Sequence, residues 1–470
     1  VKIAFSQGAY ESRGVIASPE LQWNLYAEPN PKDAPFPITL YPSPGLSLAA
    51  DYTGQATGRA RGLYAASNRA LYVVFGTQLW TVGNAYVITL IGNLGADSGL
   101  PVSMCDNGTT LFVVDGSTNG WTVDLATNAF AQVTDPAFYG SSRVDFIDTF
   151  LIFNWPGTQT FYISNSNDIT FNSLYFAEKI GYNDLLISVA ALHDNVWLFG
   201  AVTTEVWFNS GAADFPFQRQ YNSIIQQGCI AAYSVVVADN AVFWLSQDRQ
   251  GRNMLMRGEG YAAKRVSNFA VEDAWSKYQI VNDAIGMCYQ IAGHLQYTLY
   301  FPSANTTWVY DATTGFWHRR VYNSTDAWLP SCVAYWDLGF NVNLVMAGDR
   351  SAPRLYVVDR NTYDDAGVPI LRMRRWPHIL NDQKRVVHTQ FVAAMQGTNL
   401  APDAISLVWS DDGGQTYGTP LVQTTNNASN GQYQWRRLGM ARDRVYQLSW
   451  TATGETALNG AWLEAVPSET

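Results

Sequence analysis

Charge is scarce in this chain of 470 residues: Asp, Glu, Lys and Arg together make 14% of it, against about 25% in an ordinary globular protein. What charge there is leans negative, with 39 acids to 29 bases and a net of −10. A chain of that sign has no whole-molecule basic footprint for duplex binding. Apolar runs stay well short of the length a membrane-crossing helix needs, and Val1-Lys2-Ile3-Ala4-Phe5 does not open a signal sequence. The expectation is a soluble protein made in a cytoplasm. Cys105, Cys229, Cys288 and Cys332 lie far apart and form no C-x-x-C, which leaves buried free thiols as the expected state. His193, His294, His318, His378 and His388 make neither H-x-x-x-H nor H-E-x-x-H. Walker A, G-x-S-x-G and helix-opening G-x-G-x-x-G motifs are missing too. No metal or cofactor is expected.

Aromatic residues are abundant, at 14% with 17 Trp and 26 Tyr, a composition suited to an extensive buried β core. Their placement is periodic. Short strands centred on Trp80, Trp121, Tyr162, Trp207, Leu255, Trp308 and Tyr356 follow one another at steps of 41, 41, 45, 48, 53 and 48 residues. Each is preceded by a second β-rich stretch, such as Leu71-Tyr72-Val73-Val74-Phe75 or Val196-Trp197-Leu198-Phe199, across a few turn-forming residues. Most are followed by a further short strand, such as Phe316-Trp317-His318-Arg319. Units of about 40–50 residues holding up to four antiparallel strands are the blades of a β-propeller. The fold class is therefore all-β, with about seven blades over residues 61–377, six or eight being the alternatives. One helix is expected over 271–278, capped by Asn268.

Residues 1–60 fall outside the repeat. Their prolines impose extended backbone, and they read as an arm that packs on the propeller and can lend the outer strand of the last blade. Residues 378–470 read as a small β-sandwich. Inside it, Ser410-Asp411-Asp412-Gly413-Gly414-Gln415-Thr416-Tyr417 is similar to the Asp-box S-x-D-x-G-x-T-W, a structural hairpin rather than an active site. Between propeller and sandwich, Arg372, Arg374, Arg375, Lys384 and Arg385 form the one basic run of an acidic chain. They are candidate contacts to an acidic partner or to phosphates, with a solvated, charge-paired connector as the alternative.

A propeller raises the possibility of a glycosidase, which needs two carboxylates converging near the axis. Glu205, between Thr204 and Trp207, sits better as a structural or interface carboxylate, and nothing in the spacing of Asp194, Asp248 or Asp349 brings two acids together. The chain is read as non-enzymatic. Trp80, Trp121, Trp207 and Trp308 are read as core rather than as a stacking platform, because the repeat fixes their place inside each unit.

The block Glu205-Val206-Trp207-Phe208-Asn209-Ser210-Gly211 with Asp214-Phe215-Pro216-Phe217-Gln218-Arg219, then Gln227-Gly228-Cys229 and Gly260-Tyr261, resembles the packaged-DNA stabilisation (tail hub, or nozzle) proteins of short-tailed phages. Thr307-Trp308-Val309-Tyr310-Asp311, Asn24-Leu25-Tyr26-Ala27-Glu28 and Tyr41-Pro42-Ser43-Pro44-Gly45-Leu46 are similar to the same family. The resemblance implies a virion tail protein and no catalytic residues. It implies six copies in a ring below the portal and its adaptor ring. That ring would continue the channel for double-stranded DNA, with a needle or plug closing it and tailspikes or fibres around it. Glu205, Asp214 and Arg219 join the basic run as candidate partner or channel contacts. An acidic channel wall would let DNA slide without sticking. The alternatives are a carbohydrate-binding or glycan-cleaving propeller, such as a receptor-binding protein, and a cellular scaffold.

Overall fold

The repeat becomes seven four-stranded antiparallel sheets in the computed structural model, which describes residues 2–5, 11, 13–248, 250–339, 342–382, 384–396, 404–424 and 431–468. Blades 1 to 6 occupy 60–93, 103–132, 144–178, 186–225, 236–265 and 285–322 in chain order. Blade 7 takes three strands from 330–359 and its fourth from Gly45–Asp51. Each inner strand touches the next around the ring, and that of blade 7, Pro330–Asp337, touches that of blade 1, Ala60–Ala65. The periodic aromatic strand is the third in every blade.

These sequences form blades because both faces of each sheet are buried. Successive side chains of a strand point to opposite faces. In Thr110–Val114, Leu111 and Val113 pack toward blade 1, while Phe112 and Val114 pack toward blade 3. Hence the second strands read as continuous apolar runs rather than alternating ones. Trp308, 2% exposed, packs against Trp317 and donates its indole N–H to the Tyr278 hydroxyl at 3.0 Å. The helix runs Phe269–Ser276, two residues ahead of expectation. The Asn268 side chain caps it by accepting from the amides of Ala270 and Val271.

Closure uses the other end of the chain. Gly45–Asp51 pairs antiparallel with Arg354–Asp359, so the last blade has a complete outer strand. A β-carbon on Gly45 would lie 2.4 Å from the Thr362 carbonyl oxygen, so glycine is required where the strand enters. Leu46, fully buried, fills the space between blades 6 and 7 beside Tyr289, Trp328 and Tyr356.

The rest of residues 1–60 departs from an arm laid on the propeller. Leu21–Trp23 lies between the outer strand of blade 6 and Arg372–Arg375. Leu25–Pro29 and Ile38–Pro42 form a hairpin that joins Ala457–Pro467, and Lys2–Phe5 pairs with that same strand. The reason is apolar: Leu25, Ala27 and Leu40 complete the sandwich core around Trp376, Phe391 and Trp450. That sandwich also reaches back further than residue 378, because Arg372–Arg375 pairs with Asp443–Trp450 as one of its strands. Asn24, at φ 55°, breaks the first strand and fastens three parts together. Its amide group donates to the carbonyls of Val321 in blade 6 and Leu371 at the sandwich, and its oxygen accepts from the Val321 amide.

The Asp-box geometry is present. Ser410 and Asp412 bind each other and the amides of Gly414, Gln415 and Thr416, with Gly414 at φ 88°. Leu46→Ala should cost ~2–5 kcal/mol, the range for a buried leucine whose site cannot collapse. Chemical denaturation against the parent measures it, and the loss should be cooperative because blades 6 and 7 share that side chain.

Candidate functional site

The basic run does not form a surface. Arg372 and Arg374 are buried in the strand that seams sandwich to propeller, so neither can meet a partner or a phosphate, and neither is a solvated linker residue. Arg374 pairs with Glu20 at 2.8 Å, and Arg372 sits near Arg320 and Asp365, themselves 3.2 Å apart. Burial, and then the Arg320 charge, push Arg372 down to about 10. Arg375 is half-buried, bonds the Gln447 side chain at 2.7 and 2.9 Å, and lies over the ring of Tyr417, the aromatic of the Asp-box. Parity in sequence hides this. Arg372 and Arg374 alternate with Met373 on a strand whose two faces are both covered.

Lys384 and Arg385 are exposed. Three arginines that sequence reasoning passed over join them in space. Arg442 follows Ala441, which pairs with Val386, and Arg437 bonds the Thr389 carbonyl through its amide, with Arg436 beside it. The signal was the Arg436-Arg437 pair and a basic residue at the turn before Asp443, invisible until strands Val386–Gln396 and Met440–Ala441 are paired.

The propeller axis holds a well of about 540 Å³. Residues of the inner strands line it, with Arg61, Arg143, Asp145, Tyr233, Gln290 and Tyr335 among the polar ones. Side chains cross it. Arg143 of blade 3 donates to the Val235 carbonyl of blade 5 at 3.0 Å, and the Tyr233 hydroxyl reaches the Gly116 turn of blade 2. Arg61 is spent on its neighbours, bonding the carbonyls of Leu100 and Gly76 and the hydroxyl of Ser98. With Arg143 and Tyr233 reaching across it, the axis of one propeller leaves no clear bore for a duplex. Burial raises the Cys229, Cys288 and Cys332 thiols to about 12, so none is a thiolate nucleophile at neutral pH.

The structure brings Glu205, Arg219 and the connection 179–185 together on blades 3 and 4. Glu205 is buried, not a contact. Its carboxylate accepts from the Gly181 amide at 2.6 Å and the Trp207 indole at 3.0 Å. No second carboxylate converges on it, and no cluster of metal-ligating residues occurs among the described residues. Arg219 is exposed and reaches the same glycine, while Asp214 is exposed at the far turn of blade 4. Sequence reasoning missed Lys179 and Asp184, a buried ion pair that fixes this connection, and Tyr221, which stands out from it.

Fold and site together define a β-propeller. Its axial well is crossed by side chains, and Glu205 is held by the Gly181 amide and the Trp207 indole. Residues 1–363 match the model of the family described as "Bacteriophage P22 Gp10, beta-propeller". The chain belongs to that family, and so to the structural proteins of phages. No curated protein matches the sequence. Similar solved structures include the N-terminal domain of Nup159 (10% identity over 72% of this chain and 98% of that one, TM-score 0.42) and the WD40 propeller domain of Doa1 (12%, 67% and 96%, 0.40). The extracellular domain of the putative hybrid two component system BT4673 from B. thetaiotaomicron is another (10%, 77% and 44%, 0.45). At these scores they carry no functional argument. No helix among the described residues is long and apolar enough to cross a membrane.

Two measurements check this account. Arg374→Ala should destabilise the protein by about 3 kcal/mol, because it empties a buried guanidinium site and strands the largely enclosed Glu20 carboxylate, whereas Lys384→Ala and Arg385→Ala should stay within about 0.5 kcal/mol in denaturant titrations. The second concerns pH. Burial pushes His318 down to about 3 and His388 down to about 4. Unfolded histidine takes up a proton below its ordinary 6.5 while these folded ones do not, so stability falls as pH drops from there toward 4. His318 alone should contribute a loss of about 2 kcal/mol at pH 5. His294, raised by its bond to Asp311, works in the opposite sense. Melting curves at pH 5 and 7.5 for the parent and His318→Asn isolate the effect: the variant should show the shallower pH dependence.

Proposed function

We propose that this chain is a structural subunit of a short phage tail. Copies assemble into a ring, six by family resemblance, below the portal and its adaptor ring. The ring continues the DNA channel, helps retain the packaged genome, and holds the needle or plug with tailspikes or fibres around it. The observation that carries the reading is family membership across residues 1–363. Within this reading the crossed axis favours a DNA path between subunits over one through a single propeller. Charge distribution is compatible with that path. Residues 372–470 hold nine Lys or Arg and eight Asp or Glu, so residues 1–371 carry −11. A wall drawn from the latter repels phosphate.

Electron microscopy of phage particles with this subunit labelled is the test. The label should decorate the tail at the portal end. Particles assembled without the subunit should package DNA and then lose it. Recovery of the protein away from the tail, or as a monomer that binds or cleaves glycans, would replace this reading with the carbohydrate one.

A further inference from the structure

The charged side chains that line the axial well are Arg61, Arg143, Asp145 and Asp239. Three of them are provided for within the chain. Arg61 pairs with Asp97 at 3.2 Å and with Asp115 at 3.4 Å. Asp239 pairs with Arg257 at 3.1 Å. Asp145 accepts from the Phe146 amide at 2.9 Å on one oxygen and from the Ala191 amide at 2.8 Å on the other. Arg143 is different. It forms no ion pair among the described residues, and its guanidinium finds one acceptor there, the Val235 carbonyl at 3.0 Å. Its Nε–H is shut off from solvent and meets no acceptor. Asp145, two residues on, acts on Arg143 through space but stands outside ion-pair distance. The thiols that face Arg143, those of Cys105 and Cys229, are kept neutral by burial and do not balance it.

Tyr233 supplies a second unmet donor. It is 8% exposed, sits on the turn that enters blade 5, and lines the same well. Its hydroxyl ends against blade 2, where a β-carbon on Gly116 would lie 3.1 Å away, yet it has no hydrogen-bond partner. Burial raises this phenol to about 12, so at neutral pH it keeps its proton and donates. Tyr233 and Arg143 lie within electrostatic reach of each other. Water satisfies a hydroxyl but does not neutralise a guanidinium withdrawn from bulk solvent. The wall around the two donors is apolar, with Leu63, Val102, Ile285, Met287 and Val333. A well of about 540 Å³ with an apolar wall and a few convergent donors has the make-up of a small-molecule site.

We infer that the axial well binds a small oxyanion, a carboxylate or a phosphate, held by the Arg143 guanidinium and the Tyr233 hydroxyl. The anion accepts from Nε–H and from the phenol, and its charge offsets the one the chain leaves open. Bound there, it links the inner strand of blade 3 to the turn that enters blade 5, so it stabilises the propeller from its centre. The inference rests on the well alone and stands apart from the tail reading.

Calorimetric titration of the full chain with inorganic phosphate, and separately with butyrate, tests it against a background of sodium chloride at matched ionic strength. One or both should bind saturably with a dissociation constant at or below about 1 mM, and raise the melting temperature as they do. Binding of phosphate alone identifies a phosphate ligand, and binding of butyrate alone a carboxylate with an apolar body. Tyr233→Phe should weaken the binding about tenfold. Arg143→Gln should abolish it, and Arg143→Lys, which keeps the charge but not the fork, should bind more weakly than the parent. In chloride alone, Tyr233→Phe should melt no lower than the parent, because it removes a buried hydroxyl that nothing in the chain satisfies. A lower melting temperature would show that the hydroxyl already has a partner and would overturn the inference. Failure of the parent to bind either anion overturns it too. So does binding that Tyr233→Phe and Arg143→Gln leave unchanged, since the anion would then sit elsewhere. Should Arg143→Gln not fold, the Tyr233→Phe titration decides. A crystal structure grown in both anions should show one of them on Arg143 Nε, and water alone at that atom would overturn the assignment.

Discussion

The pairing of Gly45–Asp51 with Arg354–Asp359 is the constraint on which the remaining architecture hangs. A propeller whose last sheet lacks its outer strand leaves an open edge and an unfilled wedge at the seam. Borrowing that strand from the beginning of the chain solves both problems, and it commits the residues before it. They must arrive at blades 6 and 7, and there they become sandwich: Leu21–Trp23 as a shared strand, Leu25–Pro29 and Ile38–Pro42 as a hairpin on Ala457–Pro467. The sandwich core contains Leu25, Ala27 and Leu40, so it is completed by the segment that closes the propeller. Propeller and sandwich are coupled folding units rather than beads on a linker.

Buried guanidinium groups are how this seam tolerates polarity. Arg320, Arg372 and Arg374 are buried together with Asp365, Glu20 reaches Arg374 from the edge of the seam, and Arg320 lies over the Trp328 ring at 4.7 Å. Arginine suits such a position because its planar fork keeps its charge, stacks on aromatics and serves several acceptors at once. A pair of this kind adds little net stability compared with a well-packed apolar core. Its geometric demands do select one docking of sandwich on propeller, and the Asn24 side chain imposes the same choice through three hydrogen bonds.

Legibility in the sequence follows from how far apart the interacting residues are. Features set within a few residues could be read. These are the blade period, the third-strand aromatics, the Asn268 cap and the Asp-box, whose Ser410, Asp412 and Gly414 bond one another locally. Features that depend on partners hundreds of residues away could not. Nothing near Arg374 announces Glu20, and nothing near Asn24 announces Val321 and Leu371. A cluster of cations therefore looked like a surface when most of it was a seam. Glu205 is an intermediate case. Strand parity places it on the same face as Trp207, which is buried, so its burial was available from spacing. Its bond to the Gly181 amide was not.

The positions of rigidity and exposure carry the last step. In an enzyme, preorganised polar groups converge inside a cleft on the reacting atoms. Here the preorganised polar groups face inward to fix backbone, and what they hold outward is apolar: Lys179, Asp184 and Glu205 beneath Ile180, Tyr182 and Leu185. Meanwhile the axial well, where a propeller enzyme would place its chemistry, is spanned by Arg143 and narrowed by Tyr233. At a preorganised, apolar perimeter of this kind, ordering costs are met in advance of any contact. A scarcity of charge elsewhere makes the remaining separation between an acidic propeller and a basic sandwich face an orienting field rather than noise. That combination is the one the proposed tail-subunit reading calls for.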